Sequence, residues 1–435
     1  MKLLGMPPLP AAPDFRRIWV TTVISQLGDW SARLAVGVIV YENTGRPSLV
    51  GAAALVFIAP YIGLGQVLTA RTERYQRRNV MLVCDVLRAI AFVGLALAGL
   101  PIEWFMVLLF LAASVDPVYE AQSSALIVEV ARDEYDAAIR YSHISKQTAQ
   151  MVGLGIGGVL IAFFEPTTVL LLDAATFAVA AVIISGVSSR RHTPESPPGV
   201  AEVLSGGFRF LRSDQTTRNA VIATMITVGA GVGVESQVAV LGPELAGWNG
   251  AGLGALAMAT PIGTLVAAAI VPTHGSDRAV YYRSLVVTLA AAVGVGVGIL
   301  IGNVGVVLLA VFFAAGFMFQ ASMAANILVG KRIPGEHRST VFGLLQALVL
   351  ISNGVGAYVG GVFVEWFGPE RGVQALMMVA FVSLLFVVPR QTARVLAGPS
   401  GVTTRRGELL TVDDLIADIV LPPVHGEERL HAHSG

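Results

Sequence analysis

Apolar residues run along this chain in stretches of about twenty, parted by short breaks rich in glycine, proline and charge. A helix rises about 1.5 Å per residue, so about 20 apolar residues cross a bilayer's hydrocarbon core. Twelve stretches meet that length: about Arg17–Tyr41, Leu49–Thr69, Asn79–Leu100, Glu103–Val130, Ala138–Phe164, Thr167–Ser188, Arg218–Leu241, Gly250–Pro272, Tyr282–Gly302, Val304–Val329, Ser339–Trp366 and Arg371–Pro389. Breaks such as NTGRPS, GLPIE and WFGPER stop one helix and start the next. The pattern predicts an all-α membrane protein, its twelve transmembrane helices forming two pseudo-symmetric six-helix bundles.

Composition agrees. Hydrophobic residues make up 54% of the chain and charged residues 13%, half the share of a soluble protein, which argues against an ordinary soluble enzyme. Zero net charge gives no bulk pull on nucleic acid. The single cysteine, Cys84, excludes an internal disulfide and a cysteine-based metal site. Met1–Asp14 lacks the apolar core of a secretory signal.

The basic residues orient the chain. Of 29 Lys and Arg, only Arg46 and Arg371 fall in odd-numbered loops, and Arg33, Arg88 and Lys146 lie inside helices. The rest belong to the tails and the even-numbered loops, which predicts both termini in the cytoplasm. The expected organisation is a cytoplasmic N-tail (1–14), a first bundle (15–188), a cytoplasmic linker (189–217), a second bundle (218–392) and a cytoplasmic C-tail (393–435). Val200, Val203, Leu204, Phe208 and Leu211 give the linker an amphipathic helix on the membrane surface. In the tail, Val412, Leu415, Ile416, Ile419 and Val420 share one helical face, and segment 409–421 is a candidate dock for a protein partner; a disordered tail is the alternative.

Glycines repeat between the halves. Helix 5 carries GLGIGG, with Gly153, Gly157 and Gly158; helix 11 carries GVGAYVGG, with Gly360 and Gly361. Such spacing lets helices approach closely, and equivalent motifs in two parallel halves are a known transporter plan.

The loop TARTERYQRRNVMLVCDVLRA between helices 2 and 3 resembles the signature loop of the major facilitator superfamily, with Glu73, Arg74, Arg77 and Arg78 in its charged places and Thr69 where a glycine is usual. The stretch SQLGDWSARLAVGVIVYENTGRPSLVG is similar to the superfamily's enterobactin-exporter-like and multidrug-efflux-like branch. Helix 5 resembles the antiporter motif with Leu154 in the proline place; the helix 4 arginine of drug antiporters is absent. The resemblance spans about residues 15–392 and implies the major facilitator fold, with helices 1, 4, 7 and 10 lining a central cavity.

A charge at the bilayer centre costs roughly 2.5–3.5 kcal/mol on insertion scales, so charged residues there are functional candidates. Depth along the helices suggests two pairs, Arg33 with Glu235 and Lys146 with Glu120. It leaves Asp29 and Asp116 at mid-depth without a dedicated partner. Asp29, Asp116 and Glu235 are therefore candidates for proton coupling, with structural ion pairs as the plainer alternative. Candidate substrate-binding residues are Trp30, Arg33, Glu120, Lys146 and Gln320, with Phe317 and Phe319 as further aromatics. Glu73, Arg74, Arg77, Arg78, Asp85 and Arg88 form a candidate gating network at the cytoplasmic side. Asp173 reads as a helix-end hydrogen-bonding group, and His143 as a plain polar residue.

The expected function is export of a small amphiphile, drug-like or siderophore-like, by proton antiport and alternating access in a bacterial plasma membrane. The chain is expected to act as a monomer with the bilayer, protons and a small molecule as partners. No cofactor, metal, nucleic acid or enzymatic activity is expected. Two alternatives stay open: a proton-independent lipid or metabolite flippase, and a non-transporting scaffold or sensor acting through its C-tail.

Overall fold

The computed structural model describes residues 10, 12–131, 134–188, 212, 215–270, 308–316 and 338–396. Among them there are helices and no strands. The expected ninth helix, most of the tenth, the linker, the C-tail segment 409–421 and Gln320, Phe317 and Phe319 lie outside the described residues.

The helices are α1 (Pro13–Thr44), α2 (Pro47–Ile58), α3 (Leu64–Thr72), α4 (Arg77–Leu97), α5 (Ile102–Ala113), α6 (Asp116–Ala131), α7 (Tyr135–Phe163) and α8 (Pro166–Ser185). They continue with α9 (Gln215–Glu235), α10 (Val238–Leu241), α11 (Ala251–Ile270), α12 (308–316), α13 (Arg338–Phe367) and α14 (Pro369–Leu396). Five of these spans, with α5 and α6 taken together, are apolar and long enough to cross a bilayer, and the pair α9–α10 adds a sixth bent by 41°.

Punctuation is local. Gly45, Gly99 and Gly368 sit at positive φ, and Pro47, Pro101 and Pro369 follow within two residues. Gly45 ends α1 in a left-handed conformation, its N–H donating to Tyr41 O at 2.8 Å; glycine enters that region without a Cβ clash. Pro47 then opens α2, where the missing amide hydrogen costs nothing.

Two predicted helices are broken. Segment 49–69 divides into α2, a 3-10 turn at Ala59–Ile62 and α3; segment 103–130 divides into α5 and α6. Pro60 and Pro117 stand at these breaks, and neither can donate into the helical ladder. The breaks lie side by side, since the Gly65 backbone packs on the Pro117 ring.

Packing repeats the sequence echo in three dimensions. On α7, Gly153 and Gly157 meet Leu27 and Ser31 of α1, while Gly158 meets Gly254 of α11. On α13, Gly356 and Gly360 meet Gly229 and Gly233 of α9, while Gly361 meets Pro47 and Ser48 of α2. Each glycine-bearing helix thus packs on one helix of its own half and one of the other, and the two arrangements correspond. A cluster of buried apolar residues joins the halves towards the Thr44 end, including Val40, Val50, Leu241, Leu253 and Val364. A second cluster, with Phe15, Met81, Leu126 and Ile184, lies within the first half towards the Arg77 end.

Candidate functional site

Between the halves lies a cavity of about 530 Å³. Its walls come from α1, α2, α7, α9, α11 and α13, so both halves contribute. Apolar residues dominate, and Trp30, Phe57 and Tyr61 form an aromatic corner. Among the described residues two charged side chains reach the wall, Arg33 from α1 and Glu235 at the end of α9. Gln147, Gln150, Ser236 and Asn353 add neutral polar groups. The amides Gln147 and Gln150 are three apart on one helical face of the segment SKQTAQMV, a signal that sequence reasoning passed over.

The expected ion pair between Arg33 and Glu235 does not form. The Arg33 guanidinium instead stands 4.6 Å from the Trp30 ring centroid and 5.0 Å from that of Phe57. Trp30 lies one helical turn before Arg33, and Trp30 Nε1 donates to Gln26 Oε1 at 3.2 Å, which fixes the indole. Cation–π attraction compensates the guanidinium where water is scarce. Arg33 and Glu235 still share one cavity, with the Arg33 charge in electrostatic reach of the carboxyl.

The cavity is closed towards the Thr44 end by polar clasps between the halves. Tyr41 Oη donates to Glu244 Oε1 at 2.6 Å. Glu365 receives Arg46 Nη2 at 3.3 Å and the Ser48 backbone N–H at 3.1 Å. The glycine seams Gly158–Gly254 and Gly361–Pro47 lie at the same end.

Asp29 and Asp116, read from the sequence as lacking a dedicated partner, share Arg88. Its guanidinium lies 2.7 Å from Asp85, 3.3 Å from Asp116 and 3.9 Å from Asp29. The Tyr119 and Phe177 rings flank it, both 4.4 Å away. Arg88 is 4% exposed and Asp85 fully buried. One cation therefore bridges carboxylates from α1, α4 and α6, because a buried charge is tolerable only when paired and hydrogen-bonded. None of these carboxylates is on the cavity wall. Arg88 and Asp85 belong to this buried cluster and, among the described residues, form no ion pair with Glu73, Arg74, Arg77 or Arg78. Asp173 is also no helix-end group: it lies well inside α8, buried against Gly28, and Thr176 Oγ1 donates to its Oδ1 at 3.1 Å.

Lys146 and Glu120 meet as the depth argument expected, at 2.5 Å, joining α7 to α6. Each is about one-third exposed, and neither lines the cavity. In the signature loop, Arg77 lies 3.8 Å from Glu129 and Arg78 Nη1 donates to Val187 O at 3.3 Å. Arg74 stacks on Tyr75 at 5.0 Å, and Glu73 forms no ion pair among the described residues. His143 is exposed. Among the described residues no group of side chains is placed to hold a metal ion.

Comparison with known proteins adds the wider frame. The family model described as Major Facilitator Superfamily matches residues 18–327. The uncharacterized MFS-type transporter YfiS of Bacillus subtilis is 24% identical over 385 residues, covering 83% of this chain and 90% of that protein. The enterobactin exporter EntS of Shigella boydii is 24% identical over 404 residues, covering 89% and 94%. Macrolide efflux protein A of Streptococcus pyogenes is 21% identical over 179 residues, covering 39% and 44%. Among solved structures, the nucleoside transporter NupG superposes with a TM-score of 0.69 at 12% identity, covering 88% of this chain and 98% of that one. A bacterial homologue of the human lysosomal transporter Spinster, inward-facing and unoccupied, gives 0.64 at 14% identity, covering 88% and 97%.

Proposed function

This chain belongs to the major facilitator superfamily of membrane transporters, and on that premise we propose that it exports a small amphiphilic compound, drug-like or siderophore-like, in exchange for protons. The observation that carries the reading is the cavity walled by both halves and closed at one end. A ligand held there contacts both bundles, so rocking one against the other exposes it to alternate sides. The excess of Arg and Lys in the even-numbered loops supports assigning the Arg77 end to the cytoplasm, so the clasped Thr44 end faces outward. The names of two relatives, an enterobactin exporter and a macrolide efflux protein, favour the outward direction and an amphiphilic cargo.

Trp30 and Arg33 bind cargo on the cavity wall, and Glu235 is the carboxylate whose proton responds to it. Asp29 and Asp116 carry the driving protons. Both lean on Arg88, so a proton on either frees the guanidinium to strengthen its hold on the other, shifting α1 and α6 relative to α4. Glu120 and Lys146 brace α6 against α7 beside the site. Glu73, Arg74, Arg77 and Arg78 serve the cytoplasmic gate, with Arg77–Glu129 as the contact made within the first half in this state.

Inside-out membrane vesicles test the proposal. An imposed acid interior should drive accumulation of a fluorescent amphiphile or a macrolide, nigericin should abolish it, and Asp29→Asn should leave binding but lose accumulation. Flux that persists undiminished after the gradient is collapsed refutes proton exchange and favours a flippase.

A further inference from the structure

We propose that the cavity selects amphiphiles bearing one negative charge, a carboxylate or phenolate on an aromatic or apolar body, and that such a ligand binds together with a proton on Glu235. The inference rests on the cavity being the cargo site and adds the charge class of the cargo.

The argument is one of charge balance. Among the described residues, Arg33 and Glu235 are the two charged groups on the cavity wall, and Tyr61 is the other ionisable one. From α13 and α14 no ionisable side chain among the described residues lines the wall, and Glu244 is engaged with Tyr41 at the Thr44 end. Glu235 therefore faces one formal charge, that of Arg33. Neither Arg33 nor Glu235 has a salt-bridge partner within 4.0 Å among the described residues. With both ionised these two wall charges cancel; Asp29 and Asp116, which also face Arg33, lie behind the wall and share Arg88.

A guanidinium stays protonated at any pH a protein meets, whereas a carboxylate can accept a proton. A monoanion that pairs with Arg33 leaves Glu235 as surplus negative charge, and one proton taken from solvent by the Glu235 carboxylate restores neutrality. A monocation paired with Glu235 leaves Arg33 as surplus positive charge, which the gain of a proton cannot offset; only loss of a proton from Tyr61, or from Asp29 or Asp116 behind the wall, would do so. An uncompensated charge in an apolar enclosure is costly. Uptake of one proton on the wall thus adjusts the site to an anion and not to a cation.

The surroundings fit the same ligand. Arg33 lies over the Trp30 and Phe57 rings and makes no hydrogen bond among the described residues, so its N–H groups are left for a planar acid in the bidentate geometry that Arg favours. The ligand's ring then lies along the aromatic corner. On the same cavity wall, Asn353 Oδ1 is buried and has no hydrogen-bond partner among the described residues, ready to accept from a neutral polar substituent.

Isothermal titration of the full-length purified protein with 2-naphthoate, 2-naphthylmethanol and 2-naphthylmethylammonium decides it, because the three differ chiefly in charge. Naphthoate should bind most tightly. Its affinity should rise as pH falls from 8 to 6, by up to about tenfold per pH unit for one linked proton. Heats in buffers of different ionisation enthalpy should report uptake of about one proton, the value for a single linked site. Arg33→Gln should abolish the preference for the anion, Arg33→Lys should keep it, and Glu235→Gln should remove both the pH trend and the proton uptake. Tighter binding of the ammonium, or anion binding without proton uptake by the unaltered protein, overturns the proposal even where a variant fails to fold. Naphthoate that binds as expected but is not moved by vesicles refutes the export reading and leaves the charge class standing. Ammonium-selective binding with vesicle flux does the reverse.

Discussion

The seam between Gly158 of α7 and Gly254 of α11 gives the sharpest mechanical test, because it joins the two halves and contains almost nothing but backbone. A methyl group added at Gly158 would fall 2.8 Å from the Gly250 carbonyl oxygen and closer still to the Gly254 backbone. No flexible side chain is there to yield. Overpacking of this kind costs about 1–3 kcal/mol. In Gly158→Ala that strain is relieved by parting the halves at the Thr44 end. If all of it acts on the closed state, the ratio of closed to open shifts by about 5- to 150-fold. Gly157→Ala is the control: it also meets backbone, with Ser31 Cα 2.8 Å away, but on α1 of the same half. The readout is cross-linking by a short bifunctional maleimide between cysteines placed at Arg46 and Glu365, whose side chains clasp the closed end at 3.3 Å. The native Cys84 is buried and adds little background. Cross-linking should slow in Gly158→Ala, by at most the factor above, and hold its rate in Gly157→Ala. Equal rates in both variants would falsify the assignment of this seam to the gate.

Other substitutions follow from the same geometry. Arg88→Leu strands Asp29, Asp85 and Asp116 in an apolar interior and should cost about 3–5 kcal/mol, seen as a lowered melting temperature in detergent; Arg88→Lys should recover part of it. Lys146→Met breaks a bridge whose partners are each about a third exposed, so stability should fall by less than about 1 kcal/mol. A melting shift as large as that of Arg88→Leu would contradict this. Gly360→Leu forces a branched side chain into the Gly233 backbone and should prevent recovery of folded protein on size-exclusion chromatography. Glu365→Ala removes two contacts across the halves at once and should speed maleimide labelling of a cysteine at Ser48, whereas Tyr41→Phe, with one hydrogen bond to lose, should change it less.

The sequence by itself determined the helical segments that the structure describes, the places where Gly and Pro turn the chain, and the tight packing along helices 5 and 11. These are properties of near neighbours: a run of apolar residues must satisfy its own backbone in hydrocarbon, and a glycine at helical spacing offers backbone to whatever comes next. Asp85 with Arg88 was legible in the same way, since residues three apart share a helical face. Lys146 with Glu120 needed one step more, and depth supplied it because the two residues lie at similar distances along neighbouring helices.

Depth failed where rotation about the helix axis mattered. Arg33 and Glu235 lie at matching depth, yet Arg33 turns onto Trp30 and Phe57, and a one-dimensional reading carries no rotation. The same gap hid Arg88 as the shared partner of Asp29 and Asp116. It also placed Asp173 at a helix end when the Gly28 backbone leaves room for it deep in the bundle. Pro60 and Pro117 were visible as letters, but only the folded chain sets their breaks side by side. Which charge meets which is decided by desolvation: each ionised group takes the compensation nearest to it after packing, and packing is a property of all the helices together.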